Sequence, residues 1–332
     1  MFRGLRLSGA KAAWSRQARP GGSIQASPAD WGGESDLSDI HGLRRDFRPT
    51  KQGVKCGGVR YPKSIKPTTM NLLTESQLSQ LLLELGLQAG DGVLVHSALH
   101  YLGKPEGGVE MYYRTLASIL DLSENEAERP SAGTLAVPTF NFAFARGEPF
   151  DLRNTPAVGM GAFSEYIRQR PSARRTPHPL QSIAVIGRYA DDLTARDTPS
   201  AFDPGSPFDR MLELDFKILL LGADVQAISL LHWAEQRLQV PYRYWKEFRG
   251  LVRSGDKWEE KTYKMYVRDL ALDPRIDLHP VQRRMEQRGQ WLSRPLNYGF
   301  LSVCRMGDFV KTVEEFLRQD PWSLVSNPPE NR

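Results

Sequence analysis

Two rhythms of apolar residues alternate along the chain from about residue 74 onward. The first is helical. Thr74-Glu75-Ser76-Gln77 has the form of a capping box, in which Thr74 caps a helix and Gln77 reaches back to it. Leu78, Leu81, Leu82 and Leu85 then recur at spacings of three and four, and Gly86 stands where such a helix stops. The second rhythm is one of short unbroken runs: Val93-Leu94-Val95 after a Gly90-Asp91 turn, then 135–137, 183–186 and 218–221. Helices are predicted between them, over 109–120 behind Gly107-Gly108, near 162–168, near 208–214, and over 228–240, where Pro241 ends the last. Residues 123–131 read as loop. Unbroken apolar strands alternating with helices predict an α/β fold whose sheet is covered on both faces.

From Tyr244 to Val267 the pattern changes. Two polar, aromatic segments flank Ser254-Gly255-Asp256, which predicts a β-hairpin late in the chain and hence a mixed sheet. One domain is expected over 70–325, with a flexible tail at 326–332.

Residues 1–69 have neither rhythm. They are rich in Gly, Arg, Ser and Pro, and such a segment buries too little apolar surface to offset chain entropy, so disorder is expected. Their first 29 residues hold five basic and no acidic residues. Three readings stay open: a stretch upstream of a true start at Met70, an organelle signal, or a functional tail. The same stretch explains the net charge of +5, since 1–69 carry 13 Lys+Arg against 5 Asp+Glu, whereas 70–332 carry 31 against 34. The part expected to fold is mildly acidic, so nucleic acid is not an expected partner. No apolar run approaches the roughly 18 residues of a spanning helix, and no membrane segment is expected. Cys56 and Cys304 sit in no CxxC or Cys/His cluster, which leaves no zinc or disulfide framework and points to the reducing cytoplasm.

Candidate chemistry gathers where predicted strands end, because ligands of α/β sheets bind beyond the carboxyl ends of strands. The first such end is His96-Ser97-Ala98-Leu99 with Tyr101-Leu102-Gly103, the second Pro138-Thr139-Phe140, and another Gly222-Ala223-Asp224. Each alone is equally well a plain tight turn. His178 lies between Pro177 and Pro179, which fix the backbone on both sides. An imidazole so presented suits a general base, and suits a loop-capping hydrogen bond as well. His232 and Glu235 are three apart on one predicted helix and share a face. The carboxylate could orient the imidazole, receive a cationic amine, or form a surface pair. No second such pair exists to make a metal site. Nucleotide fingerprints and the GxSxG elbow are absent. Gly107-Gly108 with Lys104 could hold a phosphate, a signal of low specificity.

Taken in order, "GDGVLVHSALHYLG" at 90–103, "GTLAVPTF" at 133–140, "GMGAFSEYIR" at 159–168, "HPLQS" at 178–182, "GSPFDRMLELDFKILLLGA" at 205–223 and "LLHWAEQ" at 230–236 resemble the aminoglycoside 3-N-acetyltransferase family. The resemblance implies a three-layer α/β/α domain with a mixed, largely parallel central sheet. It implies acetyl-CoA as co-substrate, transfer to the amine of a small molecule, and no metal. It places Ser97, Ala98, Leu99, Gly103, Thr139 and Ser182 at the cofactor. His178 becomes the catalytic base, Glu235 its helper or an acceptor ligand, and His232 and Asp151 join the acceptor side. Two departures touch the cofactor site: Arg175-Thr176 stands where members often have Arg-Ser, and Ala98 replaces a second Ser. A base must deprotonate the ammonium before it attacks the thioester, backbone N–H groups would stabilise the oxyanion, and CoA thiolate leaves. A hydrolase on the same scaffold and a silent CoA- or sugar-binding protein are the alternatives. The acceptor is not legible: resistance members acetylate a deoxystreptamine ring, but other amino sugars and amines fit the same fold. Oligomeric state is open, a homodimer included.

Overall fold

A computed structural model describes residues 55–56, 59–60, 72–122 and 132–330. Within the basic stretch 1–69, β1 (Lys55–Cys56) pairs with β2 (Val59–Arg60). The rest of that stretch, and the loop expected over 123–131, lie outside the described residues. The chain continues through β3 (Leu72–Leu73), α1 (Glu75–Glu84), β4 (Gly92–Ser97), β5 (Lys104–Pro105), α2 (Val109–Leu120) and β6 (Thr134–Pro138). Next come β7 (Phe150–Asp151), α3 (Gly161–Arg168), β8 (Arg174–Arg175), β9 (Ile183–Gly187), α4 (Ala190–Thr194), α5 (Pro207–Glu213) and β10 (Lys217–Leu221). The last third holds α6 (Leu231–Leu238), β11 (Arg243–Ser254), β12 (Lys257–Arg268), α7 (His279–Gln287), β13 (Trp291–Leu296), β14 (Gly299–Arg305) and α8 (Met306–Gln319).

The capping box forms as its sequence predicts. Thr74 Oγ1 accepts from the Gln77 N–H at 3.2 Å while Gln77 Oε1 accepts from the Thr74 N–H at 3.1 Å. A cap of this kind stabilises a helix by about 1 kcal/mol, and here it starts α1 so that Leu78 and Leu82 face inward.

Seven strands make the main sheet, in the order β13-β14-β10-β4-β6-β9-β8. Only β10–β4 and β4–β6 are parallel, and the other four neighbouring pairs are antiparallel. The expectation of a largely parallel sheet is corrected here. A strand covered on both faces reads as an unbroken apolar run whichever way it points, so its direction is set by the connections, which the runs do not encode. Between β6 and β9 the chain passes through β7 and α3, re-enters the sheet at its edge as β8, and reverses into β9.

Alternate residues of the central strands go to opposite faces, as strand geometry requires. Leu94, Ala136, Ile218 and Leu220 pack in a cluster with side chains of α4 to α8. Val93, Val95, Leu135, Val137, Leu219 and Leu221 pack in a second cluster with α1, α2 and α3. A third, smaller cluster of Phe144, Phe150, Leu180, Phe248, Val252, Tyr263 and Val267 lies under the pair β11–β12, which is antiparallel throughout and joined to β7.

The topology sets the site. α2, which follows β4, lies on one face of the sheet, and α6, which follows the parallel neighbour β10, lies on the other. Beyond the carboxyl ends of β4 and β10 the connections diverge to opposite faces, the usual ligand position in such sheets. There the two strand ends touch: the Ala98 N–H donates to the Leu221 carbonyl at 2.8 Å, and Ser97 bridges Gly222. Gly222 has φ +71°, and a Cβ on it would stand 2.7 Å from the Ala98 carbonyl oxygen, so glycine alone fits that contact.

α6 is shorter than the helix expected over 228–240. Asp224 caps a 3-10 turn at Val225–Ala227 that delays its start, and Gln239 takes the left-handed conformation (φ +51°) that ends it. Pro241 forbids its resumption. At the far end, the Ser326 N–H and the Asn327 carboxamide oxygen bind the backbone of Arg275, where the expected tail begins. Among the described residues no helix is long and apolar enough to cross a membrane.

Candidate active site

α6 brings one imidazole and one carboxylate together. His232 Nδ1 lies 2.8 Å from Glu235 Oε2, the i, i+3 spacing placing both on one face. The Glu235 side chain is fully buried, whereas that of His232 is 23% exposed, so only the imidazole can meet a ligand. Arg243, the first residue of β11, places Nε 2.7 Å from the same oxygen. Burial alone would favour a protonated Glu235, but the Arg243 charge and the His232 bond outweigh it and hold the carboxyl below its ordinary value. His232 is also lowered, by burial first and Arg243 second, against the pull of Glu235. The pair is thus a neutral imidazole donating Nδ1–H to a carboxylate, which leaves the Nε2 lone pair for a substrate proton.

His178 does not fit the base expected of it. It is 3% exposed, and its Nδ1 accepts the Gln181 N–H at 3.1 Å. A neutral ring whose Nδ1 is an acceptor carries its proton on Nε2, and that nitrogen is buried as well. The ring stands edge-on to Tyr263 at 4.9 Å, and burial pushes its pKa down to about 4. The two prolines fix a turn that the imidazole caps from inside. His96 is likewise buried in β4, with its pKa pushed down to about 4 by burial.

The expected cofactor residues divide into two sets. Ser97, Ala98 and Leu99 are half-buried at the end of β4, and Ser97 Oγ is a buried atom without a hydrogen-bond partner. Gly161 opens α3 beside them; a Cβ there would lie 3.1 and 3.2 Å from the Ser97 carbonyl and hydroxyl oxygens. Gly103 is buried with φ +86°, a turn residue rather than an open surface. Thr139 and Ser182, in contrast, are fully buried, and both hydroxyls accept from Arg175 Nε, at 3.1 and 2.9 Å. Arg175 also donates to the carbonyls of Thr139 (2.7 Å) and Thr155 (2.5 Å). Thr139 and Ser182 are therefore corrected from cofactor contacts to anchors of this buried guanidinium, which pins the 152–155 loop to the ends of β6 and β9.

Asp151 is corrected too. Its carboxylate accepts the Arg153 and Asn154 N–H groups and the Asn154 side chain, all at 2.9 Å, and faces Arg253 at 3.4 Å. It shapes the turn that follows β7, and these contacts occupy both of its oxygens. Sequence reasoning missed Arg243, and it named Arg175 only as a motif position without its anchoring role. Nothing local marks either: Arg243 meets Glu235 because the chain reverses after Gln239, and Arg175 is buried by strands far from it in sequence. Among the described residues no group of three His, Cys, Asp or Glu could hold a metal ion.

Comparison with known proteins decides the family. The model of the aminoglycoside 3-N-acetyltransferase family matches residues 94–318, which contain every part of this site. The chain belongs to that family. The aminoglycoside N(3)-acetyltransferase III of Salmonella sp. is 31% identical over 212 residues, covering 60% of this chain and 73% of that protein. The crystal structure of apo aminoglycoside acetyltransferase AAC(3)-IVa superposes with a TM-score of 0.64 at 26% identity, covering 79% of this chain and 95% of that one. AAC-IIIb in a binary complex with CoASH shares the fold, with a TM-score of 0.65 at 20% identity over 75% of this chain and 97% of that one. As a member of the 3-N-acetyltransferase family the chain is an acyltransferase.

Proposed function

We propose that this acetyltransferase moves the acetyl group of acetyl-CoA directly onto an amine of an aminoglycoside or related amino sugar, with His232 as general base. The observation that carries the reading is the 2.8 Å contact between a partly exposed imidazole and a fully buried carboxylate. Glu235 fixes the tautomer, and Nε2 takes the ammonium proton, so the free amine attacks the thioester carbonyl. The tetrahedral intermediate then collapses with CoA thiolate leaving. Ser97, Ala98 and Leu99 border the pantetheine arm. The acetyl-CoA assignment draws on the CoASH complex of AAC-IIIb, and the acceptor class on the Salmonella relative's activity.

The catalytic domain we assign to 70–325, a three-layer α/β/α unit with the β11–β12 hairpin on its flank, active in the cytoplasm. Helices on both sheet faces support the layering. The enzyme meets small molecules rather than nucleic acid. The test is thiol release from acetyl-CoA with and without a panel of amines, aminoglycosides included. Release only with amine is expected. Release without it means a hydrolase, and none with any amine means a binding protein.

A further inference from the structure

Arg243 contacts Glu235 where a simpler site would need no third residue. It stands 2.7 Å from Oε2, the oxygen that already receives His232, while Oε1 is buried with no hydrogen-bond partner. The guanidinium is itself 10% exposed and is held from behind by the Tyr266 carbonyl, which accepts from Nη1 at 3.2 Å. A cation on an oxygen already serving a neutral imidazole is not needed to orient that imidazole. It is needed if the buried carboxylate must stay charged while the imidazole stays neutral.

We propose that Arg243 is a positioning residue that sets the protonation of the His232–Glu235 pair, keeping one net proton off it at neutral pH; this rests on His232 being the base. An uncompensated carboxylate in a dry site would draw a proton onto the pair, either onto its own oxygen or onto His232 Nε2. Both placements disable the base, one by removing the acceptor of Nδ1–H and the other by filling the lone pair. The fixed positive charge of Arg243 disfavours both. The other groups around the pair do not replace it. Tyr242 is neutral, its hydroxyl buried and its pKa raised by burial and by Glu235. The Tyr266 hydroxyl donates to the Val240 carbonyl at 2.8 Å. On the far side of α6, Asp203 is engaged by Gln236 at 2.8 Å and by Lys264 at 3.8 Å. Phe202 and the α8 side chains in the same cluster are apolar. Arg243 is the strong local cation on this carboxylate.

The test is the pH dependence of kcat/KM in the full chain, for wild type, Arg243→Lys, Arg243→Met and His232→Gln, with matching thermal melts. Arg243→Met should move the acid limb up by about one pH unit or more, the usual effect of removing an opposite charge from within a few ångström. Activity lost at pH 7 should return toward wild type at high pH. Arg243→Lys keeps the charge and should keep the limb near its wild-type position. NMR of the labelled His232 ring gives the same shift without turnover. A uniform loss in Arg243→Met with an unmoved limb would mean a structural role only and overturn the proposal, as would no change at all. If His232→Gln keeps the limb, the base reading itself has failed and the proposal falls with it. If His232→Gln loses the limb while Arg243→Met leaves it in place, only the role of Arg243 is refuted.

Discussion

His232 Nδ1 stands 2.8 Å from Glu235 Oε2 across one turn of α6, with the carboxylate wholly buried and the imidazole partly open. The geometry is that of an orienting carboxylate rather than of a substrate ligand, because a fully buried oxygen cannot reach an acceptor ammonium.

Glu235→Gln should accordingly act on turnover. The amide removes the charge that fixes the Nδ1–H tautomer, and a loss on the order of 10²-fold or more in kcat is expected by analogy with other carboxylate–histidine pairs. The Michaelis constant for the acceptor should change little. Steady-state kinetics decide it: a large rise in that constant with kcat intact would place the carboxylate on the substrate.

His178→Ala separates the two histidines. It leaves the Gln181 N–H without its acceptor in a buried turn, at a cost of roughly 1–3 kcal/mol, and should lower the melting temperature. The acid limb of the pH–rate profile should stay in place in the protein that remains folded. Loss of that limb with an unchanged melting temperature would return the base to His178.

The sequence and the structure part company at informative places. The capping box at Thr74, the buried runs of β4, β6, β9 and β10, and the hairpin about Gly255 are written in local chemistry, and each forms. Strand direction is not local. Neither are β13, β14 and α8, which follow the hairpin and complete one edge and one face of the sheet without any motif to announce them. At the site, the i, i+3 spacing of His232 and Glu235 made their contact legible. The partner that decides protonation there, Arg243, depends on how the chain turns back, and the low pKa of His178 comes from burial by distant elements. Two prolines around His178 spoke for rigid presentation, but rigidity does not say whether a ring faces in or out.

His279 should make stability depend on pH on the alkaline side. It lies between Asp224, 3.4 Å from Nε2, and Asp277, 2.6 Å from Nδ1. The Asp224 carboxylate foremost, then Asp277 against the effect of burial, raises its pKa to about 9. The ordinary value is about 6.5. A folded-state value raised in this way gives stabilisation that is complete below about pH 6.5 and lost as pH rises through about 9. Melting temperature should therefore fall over that window, and His279→Gln should flatten the fall. An identical pH dependence in the variant would show that the brace between the β10 loop and α7 carries no charge.

The central claim is tested most directly by the pH–rate profile of His232→Ala, taken with acetyl-CoA and an accepted amine. The account predicts a loss of roughly 10²–10⁴-fold in turnover, the usual worth of positioned proton transfer, with acetyl-CoA affinity nearly unchanged and the acid limb gone. Near-wild-type turnover with the limb still present would contradict it.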